Sequence, residues 1–385
     1  MWLQLSLTAI TLAFVVLVTV WLAREKNKYR KLVWVTLFLT FDLVMFGGFT
    51  RLTDSGLGCP DWPGCYGNAN PLQAKAQIDV AQTAMPSGPV TTSKAWTEMV
   101  HRYLAMMVGV LIIILMVVSW VRWVVAFVRW IVAWGRRWLG RPSRVQASRP
   151  RLHLLPLVPT ALFLLVCLQG AFGAWTVTMK LQPVIVTTHL LLGLTLLGTI
   201  AWLASQHNEQ VPLTRDAHAL RFSALLALLA LAIQIALGGW VSTNYATLAC
   251  TEYPMCQGGW IPNMDFANGF TLWRDLGKTG NGEFLPFAAL TAIHFVHRNF
   301  ALVVAVCAGW VGYRATQIAG LAKLGRWLMA VLALQIATGI STIFLSFPLL
   351  LAVAHNGGAA ALVILLVMIN YRTRNPAATG SNLST

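Results

Sequence analysis

Nine stretches of the chain are apolar for long enough to cross a bilayer. They lie at roughly 2–23, 32–50, 99–121, 152–175, 184–205, 219–241, 288–312, 324–346 and 349–371. About 20 apolar residues in a helix cover the ~30 Å of hydrocarbon. The polar residues between them form short connections and two long loops, about 51–98 and 242–287. The first stretch does not read as a removable leader, because its basic cluster (Arg24, Lys26, Lys28, Arg30, Lys31) follows the apolar run and no small-residue cleavage site is evident. The segment 121–140 interleaves Trp and Arg. It predicts an extension of the third span lying at headgroup level, with a partner-binding surface as the second reading. Residues 372–385 predict a disordered tail.

At 57% hydrophobic and 10% charged, the 385-residue chain reads as an all-α polytopic membrane protein embedded in the lipid bilayer. The net charge of +16 is not a nucleic-acid footprint, because it is sorted by side of the membrane. The loops after the first, third, fifth, seventh and ninth spans carry 20 of the 28 Lys and Arg. The positive-inside rule makes those faces cytoplasmic. The N-terminus and both long loops are then outside, the C-terminus is inside, and the expected location is the inner (plasma) membrane.

Behind the first span the pattern repeats. Phe46-Gly47-Gly48-Phe49 aligns with Leu237-Gly238-Gly239-Trp240, and Cys59 and Cys65 align with Cys250 and Cys256, all at an offset of 191. His101-Arg102 aligns with His297-Arg298 at an offset of 196. Leu168-Gln169, Gly173 and His189 align with Leu334-Gln335, Gly339 and His355 at an offset of 166. The expected architecture is two tandem four-helix transmembrane bundles, 32–206 and 207–371. A pseudo-twofold axis along the membrane normal relates them, and 1–31 forms an extra N-terminal helix with its basic loop.

Four histidines carry the chemistry. A bare imidazole in a bilayer is costly unless paired or liganded. His101 and His297 each open an apolar run just after an outer loop, and His189 and His355 follow an outer loop by a few residues. All four fall at similar depth in the outer leaflet. One pair per bundle, His101 with His189 and His297 with His355, suits axial ligation of one haem iron each; a hydrogen-bonded core histidine is the plainer reading. His153, His207 and His218 read as surface residues at cytoplasmic ends. His294 precedes His297 by three residues, where the first half has Glu98. A carboxylate one turn from a ligand can act as acid or base, or serve the helix N-terminus. Keeping the ligand while changing its neighbour suggests that one half does chemistry and the other holds a cofactor. Arg102 and Arg298 suit haem propionates, or anchorage of the helix end. The paired glycines let helices approach closely or leave room for a macrocycle.

Cys167 and Cys307 lie within spans and read as small apolar residues. Cys59/Cys65 and Cys250/Cys256 lie in the outer loops, each pair separated by five residues that include proline, which suits two bridged turns. A redox role for the first pair is the alternative. Zinc lacks further ligands in either loop, and no Cys-x-x-Cys-His marks a c-type haem.

The run GGFTRLTDSGLGCPDWPGC, the Glu98-x-x-His101-Arg102 motif and the repeat carrying His189, His297 and His355 resemble the haem A synthase family over about 32–371. The resemblance implies oxidation of the C8 methyl of haem O to a formyl group, by successive hydroxylations and loss of water from a gem-diol. It implies a resident haem b on His297 and His355, substrate haem O facing His101 and His189, and Glu98 as catalytic acid. Cys59 and Cys65 become the functional loop pair. The implied partners are haem O, a haem O synthase that supplies it and an electron donor of unknown identity; a homo-oligomer is compatible. If both His101 and His189 bind the substrate iron, either one dissociates or the oxidation proceeds by electron removal and attack of water. Two other functions share the histidines: a b-type cytochrome moving electrons from quinol, and a non-catalytic haem carrier or assembly factor.

Overall fold

The computed structural model describes residues 1–138, 156–208, 213 and 216–374. Those residues form eleven helices: α1 (Trp2–Leu22), α2 (Lys28–Leu52), α3 (Lys75–Ala84), α4 (Thr92–Trp138), α5 (Leu157–Thr178), α6 (Pro183–Gln206), α7 (Asp216–Thr243), α8 (Phe266–Gly269), α9 (Phe287–Thr316), α10 (Ala322–Phe344) and α11 (Leu349–Thr373). All but α3 and α8, which lie in the two long loops, are long and apolar enough to cross a membrane. The protein is an all-helical, multi-pass membrane protein, and among the described residues there is no strand beyond isolated bridges such as Cys65 with Asn68 and Cys256 with Gly259. Helix starts follow local chemistry. Asn27 accepts the Arg30 N–H at the head of α2, and proline stands at or just before the first residue of α6, α9 and α11.

Helix contacts close two rings. In the first, α2 touches α4, α4 touches α5, α5 touches α6 and α6 returns to α2; in the second, α7, α9, α10 and α11 do the same. The rings meet through α6 on α11, α2 on α11 and α6 on α7, and this set is unchanged when the halves are exchanged. That is the contact pattern of an isologous, twofold-like interface. Counterparts in the repeat also touch. Arg51 donates to the Ser242 carbonyl at 2.6 Å, and Tyr245 donates to Asp54 at 2.7 Å, both pairs lying 191 residues apart. The Arg51 guanidinium lies over the Tyr245 ring, and burial pushes the Tyr245 hydroxyl above its ordinary pKa. The arrangement is consistent with tandem bundles related by a pseudo-twofold axis.

Two expectations change. The third span does not bend into the headgroup plane within the described residues. Instead α4 runs unbroken for 47 residues. It contains no proline and only Gly109 and Gly135 as weak points, so nothing stops it. At 1.5 Å per residue it measures about 70 Å, some twice the hydrocarbon thickness. The remainder of the Trp/Arg stretch, His153 and the tail beyond 374 lie outside the described residues. His207 is not a free surface group, because its ring packs edge-on against Tyr29 at 4.9 Å where α6 meets α2, and burial lowers its pKa. The extra first span packs on the first half. α1 packs on α4 and α2, and its N-terminal end covers the first cysteine loop, with Leu5 buried among Cys59, Cys65, Ala69 and Ile78.

Candidate functional site

The histidines come from the N-terminal halves of long helices, and each is seated against a glycine on a neighbouring helix. A Cβ on Gly47 would lie 3.0 Å from Cε1 of His101, and on Gly173 3.2 Å from Cε1 of His189. In the second half the corresponding distances are 2.9 Å from Gly238 to His297 and 3.0 Å from Gly339 to His355. The same contact occurs four times, between α2 and α4, α5 and α6, α7 and α9, and α10 and α11. These glycines fix where the rings stand; a methyl group at any of them would push an imidazole aside. Gly48 and Gly239 serve a different purpose. They sit at the interface of the halves, against Asn356 and Leu190, themselves counterparts in the repeat.

Within each ring the expected partners are drawn together. His101 lies on α4, diagonally across the first ring from α6 with His189, and His297 lies on α9, diagonally across the second ring from α11 with His355. Among the described residues no three His, Cys, Asp or Glu side chains converge on a bare-metal site. An iron porphyrin asks less of the protein, since the macrocycle leaves only the axial positions.

The polar support of the rings was not read from the sequence, although the repeat offered a signal. Gln169 and Gln335, each 20 residues before a histidine, donate to the Nε2 atoms of His189 and His355, both at 3.3 Å. Gln234, one turn before Gly238, lies 3.2 Å from His297 Nδ1 and donates to the His297 carbonyl at 3.0 Å. Thr338 reaches His355 Nδ1 at 3.1 Å. The first half lacks two of these supports, because the positions matching Gln234 and Thr338 are Leu43 and Phe172. Nδ1 of His101 and of His189 are accordingly buried without a partner, as are the amide oxygens of Gln169, Gln234 and Gln335.

Glu98 is buried at 4% exposure. One carboxylate oxygen accepts the Cys59 backbone N–H at 2.8 Å, and the other pairs with Arg102. In the second half His294, equally buried, accepts the Cys250 N–H at 3.2 Å through Nδ1. Glu98 and His294 thus share one structural duty, holding the cysteine loop, and differ in charge. Arg102 and Arg298 also face the loops. Arg102 donates to the carbonyls of Asp61 and Gly64, and Arg298 to those of Glu252, Pro254 and Met255. These contacts occur at matching positions in the two halves and use part of each guanidinium's five N–H donors. Arg298 Nε is buried without a partner.

Both loops are closed by disulfides, Cys59–Cys65 and Cys250–Cys256, each with a Cα separation of 4.9 Å and all four cysteines buried. Cys167 and Cys307 are free. An apolar cleft of about 570 Å³ between α5, α6, α7 and α11 contains none of the candidate residues.

A multi-pass helical protein with one opposed histidine pair inside each of two matched four-helix rings is the class that this fold and site define. The chain belongs to the COX15-CtaA family, described as cytochrome oxidase assembly protein, whose pattern it matches over residues 30–367; α1 precedes the match. It is 36% identical over 341 residues to a protein named heme A synthase from Shewanella oneidensis, covering 88% of this chain and 94% of the relative. It is 30% identical to the heme A synthase of Bradyrhizobium diazoefficiens, covering 85% of this chain and 86% of the relative, and 29% identical to that of Caulobacter vibrioides, covering 88% and 94%.

Proposed function

We propose that the protein oxidises haem O to haem A, converting the C8 methyl of the substrate to a formyl group by successive hydroxylations and loss of water. The observation that carries this reading is the chemical divergence of two matched histidine pairs. One pair has Glu98 beside it and sparse polar support. The other has His294 there, with Gln234, Gln335 and Thr338 around its rings. A pigment that stays needs fixed ligands, whereas one that arrives as substrate and leaves as product needs ligands that let go.

The second half fits a resident haem b. His297 and His355 would hold its iron, and the buried amide oxygens of Gln234 and Gln335 are unspent acceptors beside the rings. When bound, such a haem supplies one-electron chemistry that side chains lack. In the first half His101 and His189 hold the substrate. Glu98, three residues before His101, is the acid–base group, kept in place by Arg102 and the Cys59 N–H. The loop carrying Cys59 is drawn over the head of α4 by these bonds and shields the site from water. The family relatives named heme A synthase support the same activity, and the orientation with the histidine sites in the outer leaflet rests on the basic loops.

The test is pigment analysis. The chain is expressed in a host that makes haem O but no haem A, and the haems are extracted and separated with mass detection. Haem A or its hydroxylated precursor is the expected product. Unchanged haem O beside an intact b-type spectrum and an available reductant would favour an electron-transfer protein or a haem carrier.

A further inference from the structure

We infer that His101 is the exchangeable ligand of the first half, and that the position it vacates on the substrate's iron is open to a small exogenous ligand. This rests on the proposed function and adds to it the identity of the ligand that lets go.

The argument is a comparison of four rings with one another. Each is seated on a glycine, so seating does not distinguish them. Three are tethered by a glutamine amide from the neighbouring helix: His189 by Gln169, His297 by Gln234 and His355 by Gln335. Gln169 and Gln234 also hold the main-chain carbonyl of their histidine, so the tether persists when the ring nitrogen turns to another partner. His101 makes no hydrogen bond; its Nδ1 is buried without a partner. The reason is one residue. The position on α2 one turn before Gly47, where α7 carries Gln234 before Gly238, is Leu43. The side chain flanking His101 is instead Phe46, stacked on its ring at 6.3 Å with 16° between the planes, a contact with no directional hold.

An untethered imidazole gains rotational freedom on leaving the iron and gives up no second bond. A tethered one stays held beside the metal by its amide, a polar contact that contributes roughly 1 kcal/mol to keeping it there. Exchange therefore occurs on the α4 side. The Fe–N bond to His101 opens with the electron pair remaining on the ring nitrogen, so iron keeps its oxidation state and a small ligand supplies its own pair. The opened face is the one that Glu98 adjoins, three residues before His101 on the same helix, and His189 on α6 retains the substrate from the other face.

The experiment uses the full chain, purified from the haem O host and reduced, with carbon monoxide as the probe and flash photolysis as the readout. In the unaltered protein the first-half haem binds carbon monoxide and the second-half haem does not. Leu43→Gln, which supplies the missing tether, slows that binding about fivefold with the spectrum of the resident haem unchanged. Gln234→Leu, which removes the matching tether, makes the second-half haem reactive. Unaltered binding rates in Leu43→Gln protein with intact spectra overturn the inference. So does a Gln169→Leu protein in which the first-half rate rises about fivefold while Leu43→Gln does nothing, since His189 would then be the leaving ligand. A first half that binds no haem in any variant overturns the proposed function along with it.

Discussion

Glu98 and His294 occupy one place in two copies of the same structure, and this allows two roles to be separated by substitution. Both accept a cysteine backbone N–H and so pin a disulfide loop to the head of a helix. Glu98 alone adds a carboxylate, paired with Arg102. Glu98→His therefore keeps the loop contact and removes the acid. The expected result is a folded protein with both disulfides and its b-type spectrum, and haem A formation reduced at least a hundredfold in the pigment assay. Comparable turnover in this variant would mean that Glu98 serves only the loop. The four histidines and the cysteines stood out in the sequence because repetition marked them, and Glu98 because it breaks the repeat. The glutamines were harder to see, since an amide in a membrane helix has many uses. The loop duty of Arg102 and Arg298 was not legible at all: which carbonyls lie within reach depends on how a loop 38 to 46 residues away folds back.

At the scale of helices, α1 has no counterpart in the second half, and neither does the seal it makes. Leu5 is buried in the cluster around Cys59 and Cys65, Trp2 meets Trp62 edge-on at 6.1 Å, and Met1 lies against Gly64. The second loop instead leans on Trp240, Val241 and Ile293. Leu5→Ala should lower stability by roughly 2–5 kcal/mol, the usual cost of an emptied leucine site. Under mild reductant it should expose Cys59 and Cys65 to alkylation well before Cys250 and Cys256, as peptide mass mapping would read. Equal reactivity of the two pairs would remove the sealing role. Hydropathy located all nine spans, because burial in lipid demands continuous apolar sequence. It could not give the length of α4, since exposed Val, Trp and Arg past Val121 are compatible with a helix in water, at the interface or against another protein.

At the scale of the whole chain, the two cysteine loops share one end of the bundle and the basic connections the other. If the basic end is cytoplasmic, a cysteine placed at the exposed Met85, in an otherwise free-cysteine-less background, should react with an impermeant thiol reagent in intact cells whose outer barrier is opened. A cysteine at Lys26 should react only after lysis. The opposite pattern would invert the protein. The repeat foretold two bundles and their common direction. It did not foretell that Arg51 and Tyr245 would meet their partners across the interface, because contact between counterparts depends on how close the axis passes. The glycine seats carry a consequence for descent. Since any side chain at Gly47, Gly173, Gly238 or Gly339 displaces an imidazole, neither member of such a couple changes freely without the other. Divergence of the duplicated halves was thereby channelled into the neighbours, at 43 against 234, 98 against 294 and 172 against 338. A single ancestral site could become two specialised ones without ever dismantling the part that grips the pigment.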